Sequence, residues 1–252
     1  MSIILYIFGS VILVSLFSLV GVLAISLRQD KLNRALSFLI PLAVGALLGD
    51  AFFHLIPEAF ARMEDHAMIS LLLFLGVISF FFLEKFLRWH NHSVSEVTLD
   101  QHDSPKHLGH LVLISDSFHN FIDGVIIAAS FLVNVHVGVA TTLAVILHEI
   151  PQEFGDFGVL IYAGYKRKTA LFYNFLSALT AVAGAVLMVV LGSLPEGLVQ
   201  GVVPFAAGIF IYIAGSDLVP ELHKHEKNKS IFPEITGIGL GMLAMYLLLF
   251  IE

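Results

Sequence analysis

Two clusters of ionisable and amide side chains lie inside long apolar runs of the sequence. The first is Asp116, His119, Asn120 and Asp123, and the second is the stretch His148-Glu149-Ile150-Pro151-Gln152-Glu153-Phe154-Gly155-Asp156. A carboxylate at the centre of a hydrophobic span costs roughly 2.5–3.5 kcal/mol, so these carboxylates together would cost about 12–18 kcal/mol if the costs were additive. Imidazole, carboxylate and amide groups are metal ligands, and a bound cation would offset that cost. The two clusters therefore predict a cation site.

The composition is that of a helical membrane protein. The chain has 252 residues, of which 58% are hydrophobic and 13% charged, and its mean hydropathy is +0.90. Such values are outside the range of soluble domains. Cysteine is absent, so any metal must be bound by nitrogen and oxygen ligands. The net charge of −7 argues against nucleic acid as a partner.

Eight apolar runs are each long enough to cross a bilayer as a helix. These predicted spans 1 to 8 cover residues 3–27, 35–57, 69–88, 110–132, 137–163, 168–192, 199–219 and 232–251. We therefore predict an all-α polytopic membrane protein with eight transmembrane helices in a single domain, residues 1–252. Residues 3–27 are interpreted as a retained first span, and no extracellular N-terminal domain is expected before it.

Basic residues predict the orientation of the chain. Only Arg62 lies on one side of the predicted spans, and the other twelve lie on the opposite side: Arg28, Lys31, Arg34, Lys85, Arg88, Lys106, Lys166, Arg167, Lys168, Lys224, Lys227 and Lys229. The positive-inside rule makes the basic side cytoplasmic. Both termini are then extracytoplasmic, in a protein that we expect in the plasma (inner) membrane.

The loop predicted at residues 89–109 is rich in histidine and aspartate. It contains His90, His92, Asp100, His102, Asp103 and His107. These side chains could hold metal loosely at the cytoplasmic side. A polar loop that merely contains histidine is an equally good interpretation.

Spans 2 and 7 share a sequence pattern. Pro41-x-Ala43-x-Gly45 with Leu55-x-Pro57-Glu58 matches Pro204-x-Ala206-x-Gly208 with Leu218-x-Pro220-Glu221 at a constant offset of 163 residues. The two spans run in opposite directions, which predicts an inverted repeat of helices 1–3 and 6–8 around helices 4–5. Chance similarity is the alternative, because Gly and Pro are common in membrane helices.

Helical periodicity places the polar residues of spans 4 and 5 on single faces. His119 and Asp123 are four residues apart, as are His148 and Gln152, and Glu149 and Glu153. Both clusters lie near the middle of their spans, so they reach the same depth on antiparallel helices. The predicted metal ligands are His119, Asn120, Asp123, His148, Glu149, Gln152 and Glu153.

Other polar residues mark a possible path on either side of this site. Asp50, His54 and Glu58 recur every four residues in the outer half of span 2, and Asp116 and Asp156 lie cytoplasmic of their span centres by roughly 8 Å. We expect Asp116 and Asp156 to form a separate, later station. Further candidates are Asn174 and Ser177 on span 6, and Asp217 and Glu221 at the end of span 7.

Three alternatives to a transport site are open. His148-Glu149 begins like the HExxH motif of zinc hydrolases, but Gln152 stands where the second histidine should be. One alternative is therefore an intramembrane zinc-dependent hydrolase built on His119, Asp123 and His148. Another is a membrane metal sensor or store without flux, and the last is a purely structural polar network.

The motifs resemble those of the ZIP (Zrt-, Irt-like) metal transporters. His119-Asn120-Phe121-x-Asp123-Gly124, followed by His148-Glu149-x-Pro151-x-Glu153-x-Gly155-Asp156, is similar to the paired signature of that family and nearest the subfamily whose fifth helix reads HExPHExGD. The resemblance covers all eight spans and includes Gly49-Asp50 and His54. It implies uptake of divalent transition metals into the cytoplasm, zinc first, with iron, manganese or cadmium in some members.

The resemblance also implies a site and an assembly. It implies a two-metal centre between helices 4 and 5, with His119, Asp123, His148 and Gln152 at first-site positions and Asn120, Asp123 and Glu149 at second-site positions. A homodimer with alternating access is expected, and the metal is cargo, so no cofactor is expected. Gln152 departs from the His or bridging Glu of the family, and a neutral amide cannot bridge two cations as a carboxylate does.

Overall fold

Helices account for nearly all of the residues that the structure describes. The computed structural model describes residues 2–20, 29–95, 105–192, 196–224 and 231–250. Within these ranges the helices form eight rods, which we number α1 to α8. They are α1, Ile3–Phe17; α2, Gln29–Asp50 continued by Ala51–Leu55 and Ile56–Arg62; α3, His66–Ser95; α4, Pro105–Val133; α5, Val135–Tyr162; α6, Arg167–Ala178 and Thr180–Leu191; α7, Glu196–Tyr212 continued by Ile213–Leu218 and Val219–Lys224; and α8, Phe232–Leu248.

Six of these helices are long and apolar enough to cross a membrane. They are Ile3–Val20, Ser37–Arg62, His66–Leu83, Val112–Val133, Arg167–Leu191 and Val199–Ser216, as judged over the described residues. Helix α8 has 17 residues, and α5 carries three carboxylates and two histidines, so neither meets the same criterion. The prediction of an all-helical polytopic membrane protein is confirmed.

The helices pack as two bundles. In the first bundle α2 packs along α8 and α3 along α7, and in the second bundle α4 packs against both α5 and α6 while α1 covers them. The two bundles meet mainly where α2 lies against α5 and α7 against α4. This arrangement places α4 and α5, which carry the predicted metal ligands, at the bundle interface.

Glycine allows very close backbone contact within the first bundle. A Cβ on Gly45 would overlap the carbonyl of Ile238, and one on Gly241 would overlap the carbonyl of Leu42. The α3–α7 pair makes the matching contacts, since a Cβ on Gly208 or Gly76 would overlap the carbonyls of Leu73 and Phe205. Small residues of this kind let membrane helices associate through backbone van der Waals contact.

Helices α2 and α7 each contain a π-helical segment. The segments are Ala51–Leu55 and Ile213–Leu218, and each ends two residues before a proline, Pro57 or Pro220. Proline lacks an N–H group, so the preceding turn cannot keep the regular α-helical bond and widens. The two segments end at Leu55 and Leu218, which are separated by the same 163-residue offset as the shared pattern.

The loop predicted at residues 89–109 is shorter in the structure. Helix α3 extends to Ser95 and α4 begins at Pro105, because their periodic sequences continue beyond the apolar runs. Residues 96–104, which include His102, lie outside the described residues, as do the side chains of His90, His92 and His107. The prediction of a metal-holding loop stays a prediction.

Candidate metal site between α4 and α5

A one-residue link holds α4 and α5 antiparallel. Asn134 separates the two helices, and its side-chain oxygen accepts a hydrogen bond of 2.8 Å from the backbone N–H of His136, which caps α5. Residues at equal sequence distance from Asn134 therefore lie at similar depth. His119 and Glu149 each stand fifteen residues from it. The link explains why the two clusters meet.

Four side chains from these helices converge on one point. Nε2 of His119 lies 3.1 Å from Nε2 of His148, 3.6 Å from Oδ2 of Asp123 and 3.4 Å from Oε1 of Glu149. Nε2 of His148 lies 3.3 Å from the same Asp123 oxygen and 3.6 Å from the same Glu149 oxygen. All four side chains are buried, and we call this set the first group.

The dimensions of the first group fit a tetrahedral zinc ion. A tetrahedron with edges like these has its centre about 2.1 Å from each corner, which is the usual Zn–N and Zn–O bond length. Both carboxylate oxygens of Asp123 and Oε1 of Glu149 are buried without a hydrogen-bond partner. Such acceptors are costly unless a cation binds them. Two imidazoles and two carboxylates form a donor set suited to zinc and neighbouring transition metals.

Aromatic rings and a backbone carbonyl orient the two imidazoles. Nδ1 of His148 lies 3.2 Å from the carbonyl oxygen of Ala144, which leaves Nε2 facing the other ligands. Phe80 of α3 packs edge-on against His119 and Phe210 of α7 packs edge-on against His148, with ring centroids 5.8 and 6.1 Å apart. The first bundle thus supplies an apolar wall to ligands that belong to the second.

A second group of ligands lies one helical turn away. Carboxylate oxygens of Asp116, Glu149 and Glu153 lie within 4.8 Å of one another, and all three side chains are buried. Asn120 donates to Asp116 at 2.9 Å. Glu149 belongs to both groups, so one carboxylate connects them.

Helix α6 holds the carboxylates of the second group in place. Ser177 donates a hydrogen bond of 2.5 Å to Asp116, and the Asn174 amide donates one to Glu153. The side-chain oxygens of Asn120 and Asn174 and Oε1 of Glu153 stay buried without a partner. The group therefore keeps free oxygen ligands of the kind that hard cations prefer.

Asp116 lies outside the first group and belongs to the second, and its role as a separate, later station stays a prediction. Asp116 stands directly below Asn120 on α4, and Glu153 stands one turn beyond Glu149 on antiparallel α5, so both helices bring a carboxylate to the same depth. The side chain of Gln152 also lies near the Asp116 carboxylate. Asp156 is partly buried further along α5.

The residues of the predicted outer path contact one another or neighbouring side chains, and they are not part of the first group. Asp50 is fully buried, lies 3.3 Å from Nδ1 of His54 and accepts a 2.9 Å hydrogen bond from Thr141 of α5. Glu58 pairs with Arg62. At the opposite end, the side chains of Asp217 and Glu221 lie outside the described part of the chain.

Comparison with known proteins identifies the family of the chain. A family profile described as "ZIP Zinc transporter" matches residues 1–110 and 88–249. The chain belongs to the ZIP zinc transporter family. This confirms the predicted family, whose profile is described as one of transporters, and it argues against the hydrolase interpretation. Membership of the HExPHExGD subfamily stays a prediction.

Curated members of the ZIP family are similar over most of the chain. Zinc transporter ZIP13 of Pongo abelii is 32% identical over 88% of this chain and 69% of its own length. Metal cation symporter ZIP14 of Mus musculus is 30% identical, with 94% and 65% covered. Zinc transporter YKE4 of Saccharomyces cerevisiae is 33% identical, with 77% and 63% covered. The chain thus spans about two thirds of these relatives.

Sequence reasoning about this ZIP-family site missed three contributors. Thr141 is seven residues before His148, and this helical spacing on α5 was the signal that could have identified it. Nothing in the sequence distinguishes Phe80 and Phe210, because the chain has 22 phenylalanines and any of them could pack against the imidazoles.

Proposed function

We propose that this protein transports divalent metal ions, zinc first, across a membrane into the cytoplasm through the site between α4 and α5. The single observation that carries the proposal is the first group: four buried ligand atoms from two helices, with each imidazole nitrogen 3.1–3.6 Å from the other three atoms and with unpartnered carboxylate oxygens. This geometry suits zinc. Relatives named as zinc transporters and metal cation symporters support the same cargo.

The two groups are the basis for a path through the protein. A metal ion would arrive past Glu58, His54 and Asp50, bind in the first group and pass to the second. Glu149 contributes to both groups, so we propose that it does the bridging for which Gln152 is unsuited. From the second group, Asp156 lies in the direction of the cytoplasm, with Asp217 and Glu221 proposed at the inner mouth.

The membrane arrangement is part of the proposal. We propose eight transmembrane helices. Helix α5 is one of them despite its charged residues, because these residues face the site. Both termini are proposed to lie outside by the positive-inside rule. Matching glycine contacts and matching π-helical segments support an inverted repeat that relates α2 to α7. A homodimer in the plasma membrane is proposed on the family resemblance.

Zinc uptake into proteoliposomes tests the function. The purified protein should carry external zinc to an entrapped fluorescent chelator, and the double variant His119→Ala with Glu149→Ala should abolish uptake. His136→Ala is the matched control, since this histidine is exposed and only its backbone caps α5. Stoichiometric zinc binding without flux by the wild-type protein would indicate a sensor or store, and unchanged uptake by the double variant would refute the site.

A further inference from the structure

Arg62 connects two helices that belong to different bundles. It is the last residue of α2, and its Nε donates to Oε1 of Glu58 at 2.6 Å. Its Nη2 donates to the backbone carbonyl oxygen of Val133, also at 2.6 Å. Val133 is the last residue of α4. One guanidinium therefore bridges a side chain of the first bundle and the backbone of the second.

The carbonyl that Arg62 binds belongs to the helix pair that carries the metal ligands. Val133 immediately precedes Asn134, the link between α4 and α5. Deeper in the same half of the molecule, Thr141 of α5 donates to Asp50 of α2 at 2.9 Å. These two contacts tie α2 to the α4–α5 pair at the end where metal would arrive.

Glu58, the outermost carboxylate of the proposed path, forms an ion pair with Arg62. Glu58 is 16% exposed and Arg62 is 40% exposed, so water and ions reach both. A divalent cation that binds the Glu58 carboxylate competes directly with the guanidinium for the same oxygen. The guanidinium presents separate donor nitrogens in a rigid planar fork, so Nε and Nη2 reach two acceptors in a fixed geometry, whereas a lysine ammonium is a single compact charge.

We propose that Arg62 is a latch on the extracytoplasmic side of the metal path. It keeps α2 against the α4–α5 pair and keeps Glu58 engaged until an arriving cation takes the carboxylate. Release from Glu58 weakens the hold on Val133 and lets the two bundles separate at this end. Arg62 acts through Glu58, so it is a positioning residue. The inference rests on the proposed transport function.

Thiol labelling tests the latch without any transport. The chain lacks cysteine, so Ser130→Cys introduces one thiol at a site that is 1% exposed and seven residues, about two helical turns, from Asp123. In this background, Arg62→Ala should raise the rate of labelling by a membrane-impermeant maleimide about two- to fivefold. Arg62→Lys should give an intermediate rate, since a compact ammonium keeps the charge but lacks the planar fork that spans both partners. Equal rates in all three would overturn the latch.

Uptake kinetics test whether Arg62 acts through Glu58. Arg62→Ala should lower KM for zinc about two- to fivefold, because Glu58 is then free to receive the ion. The double variant Arg62→Ala with Glu58→Gln should have the same KM as the Glu58→Gln single variant. Glu64→Gln removes a nearby exposed charge without touching the pair and should leave KM within about twofold of the wild-type value.

The outcomes separate the latch from the transport function. An undiminished KM shift in the Glu58→Gln background would overturn the mechanism, because Arg62 would then act by its charge alone. Wild-type vesicles that take up no zinc would refute the function, and the labelling rates would still decide the latch. If size-exclusion chromatography shows that Arg62→Ala does not fold, the labelling rates of Arg62→Lys and Arg62→Gln test the latch in the same way.

Discussion

Replacing His148 with alanine should remove most of the zinc affinity of the first group. His148 contributes one of four ligand atoms, and its Nε2 lies 3.1–3.6 Å from the other three. Loss of a group that merely orients a ligand costs about 10–100-fold in metal affinity, so loss of a ligand itself should cost at least about 100-fold. At zinc concentrations of about 100 times the wild-type Kd, bound zinc stabilises the protein by about 2.7 kcal/mol. The variant should keep only about 0.4 kcal/mol under the same conditions.

Thermal unfolding of the purified protein in detergent measures this loss. The zinc-induced rise in Tm should be large in the wild-type protein and nearly absent in His148→Ala, while metal analysis shows reduced zinc per chain. His136→Ala makes the same substitution at an exposed position and should retain the full rise. If His148→Ala kept the wild-type shift, the tetrahedral arrangement of the first group would not be the zinc site.

Three further substitutions test the surrounding structure. Gln152→His should raise zinc affinity or occupancy, because imidazole is a stronger zinc ligand than an amide, and identical metal content in both proteins would contradict this. Asn174→Ala should weaken metal binding by about 10–100-fold in equilibrium titration, because Glu153 loses the donor that orients it. Gly208→Ala should lower Tm and slow uptake by forcing α3 and α7 apart, whereas Gly239→Ala, which has open space, should change neither.

Much of the candidate site could be predicted from the sequence for a local reason. A helix places residues four positions apart on one face, so His119 with Asp123 and His148 with Gln152 had to lie in stripes. The single residue between α4 and α5 then brings His119 and Glu149 to the same depth. Composition and the lengths of the apolar runs predicted a polytopic helical chain, and the family resemblance was confirmed by the comparison.

The partition of ligands between two groups could not be predicted, because periodicity says nothing about the rotation and separation of neighbouring helices. Asp116 lies with Glu149 and Glu153 in the second group, where Ser177 from a different helix donates a hydrogen bond to it. The loop bounds also differed, because helices extend beyond their apolar runs.

The sequence by itself determined which residues share a face and at what depth, since those follow from covalent spacing along a helix. Only the tertiary structure decided which faces meet. Glycine-mediated contacts set the distances within the first bundle, and that bundle brings Phe80 and Phe210 against the two imidazoles. The contact of Arg62 with Val133 joins residues 71 positions apart, and packing between bundles creates it.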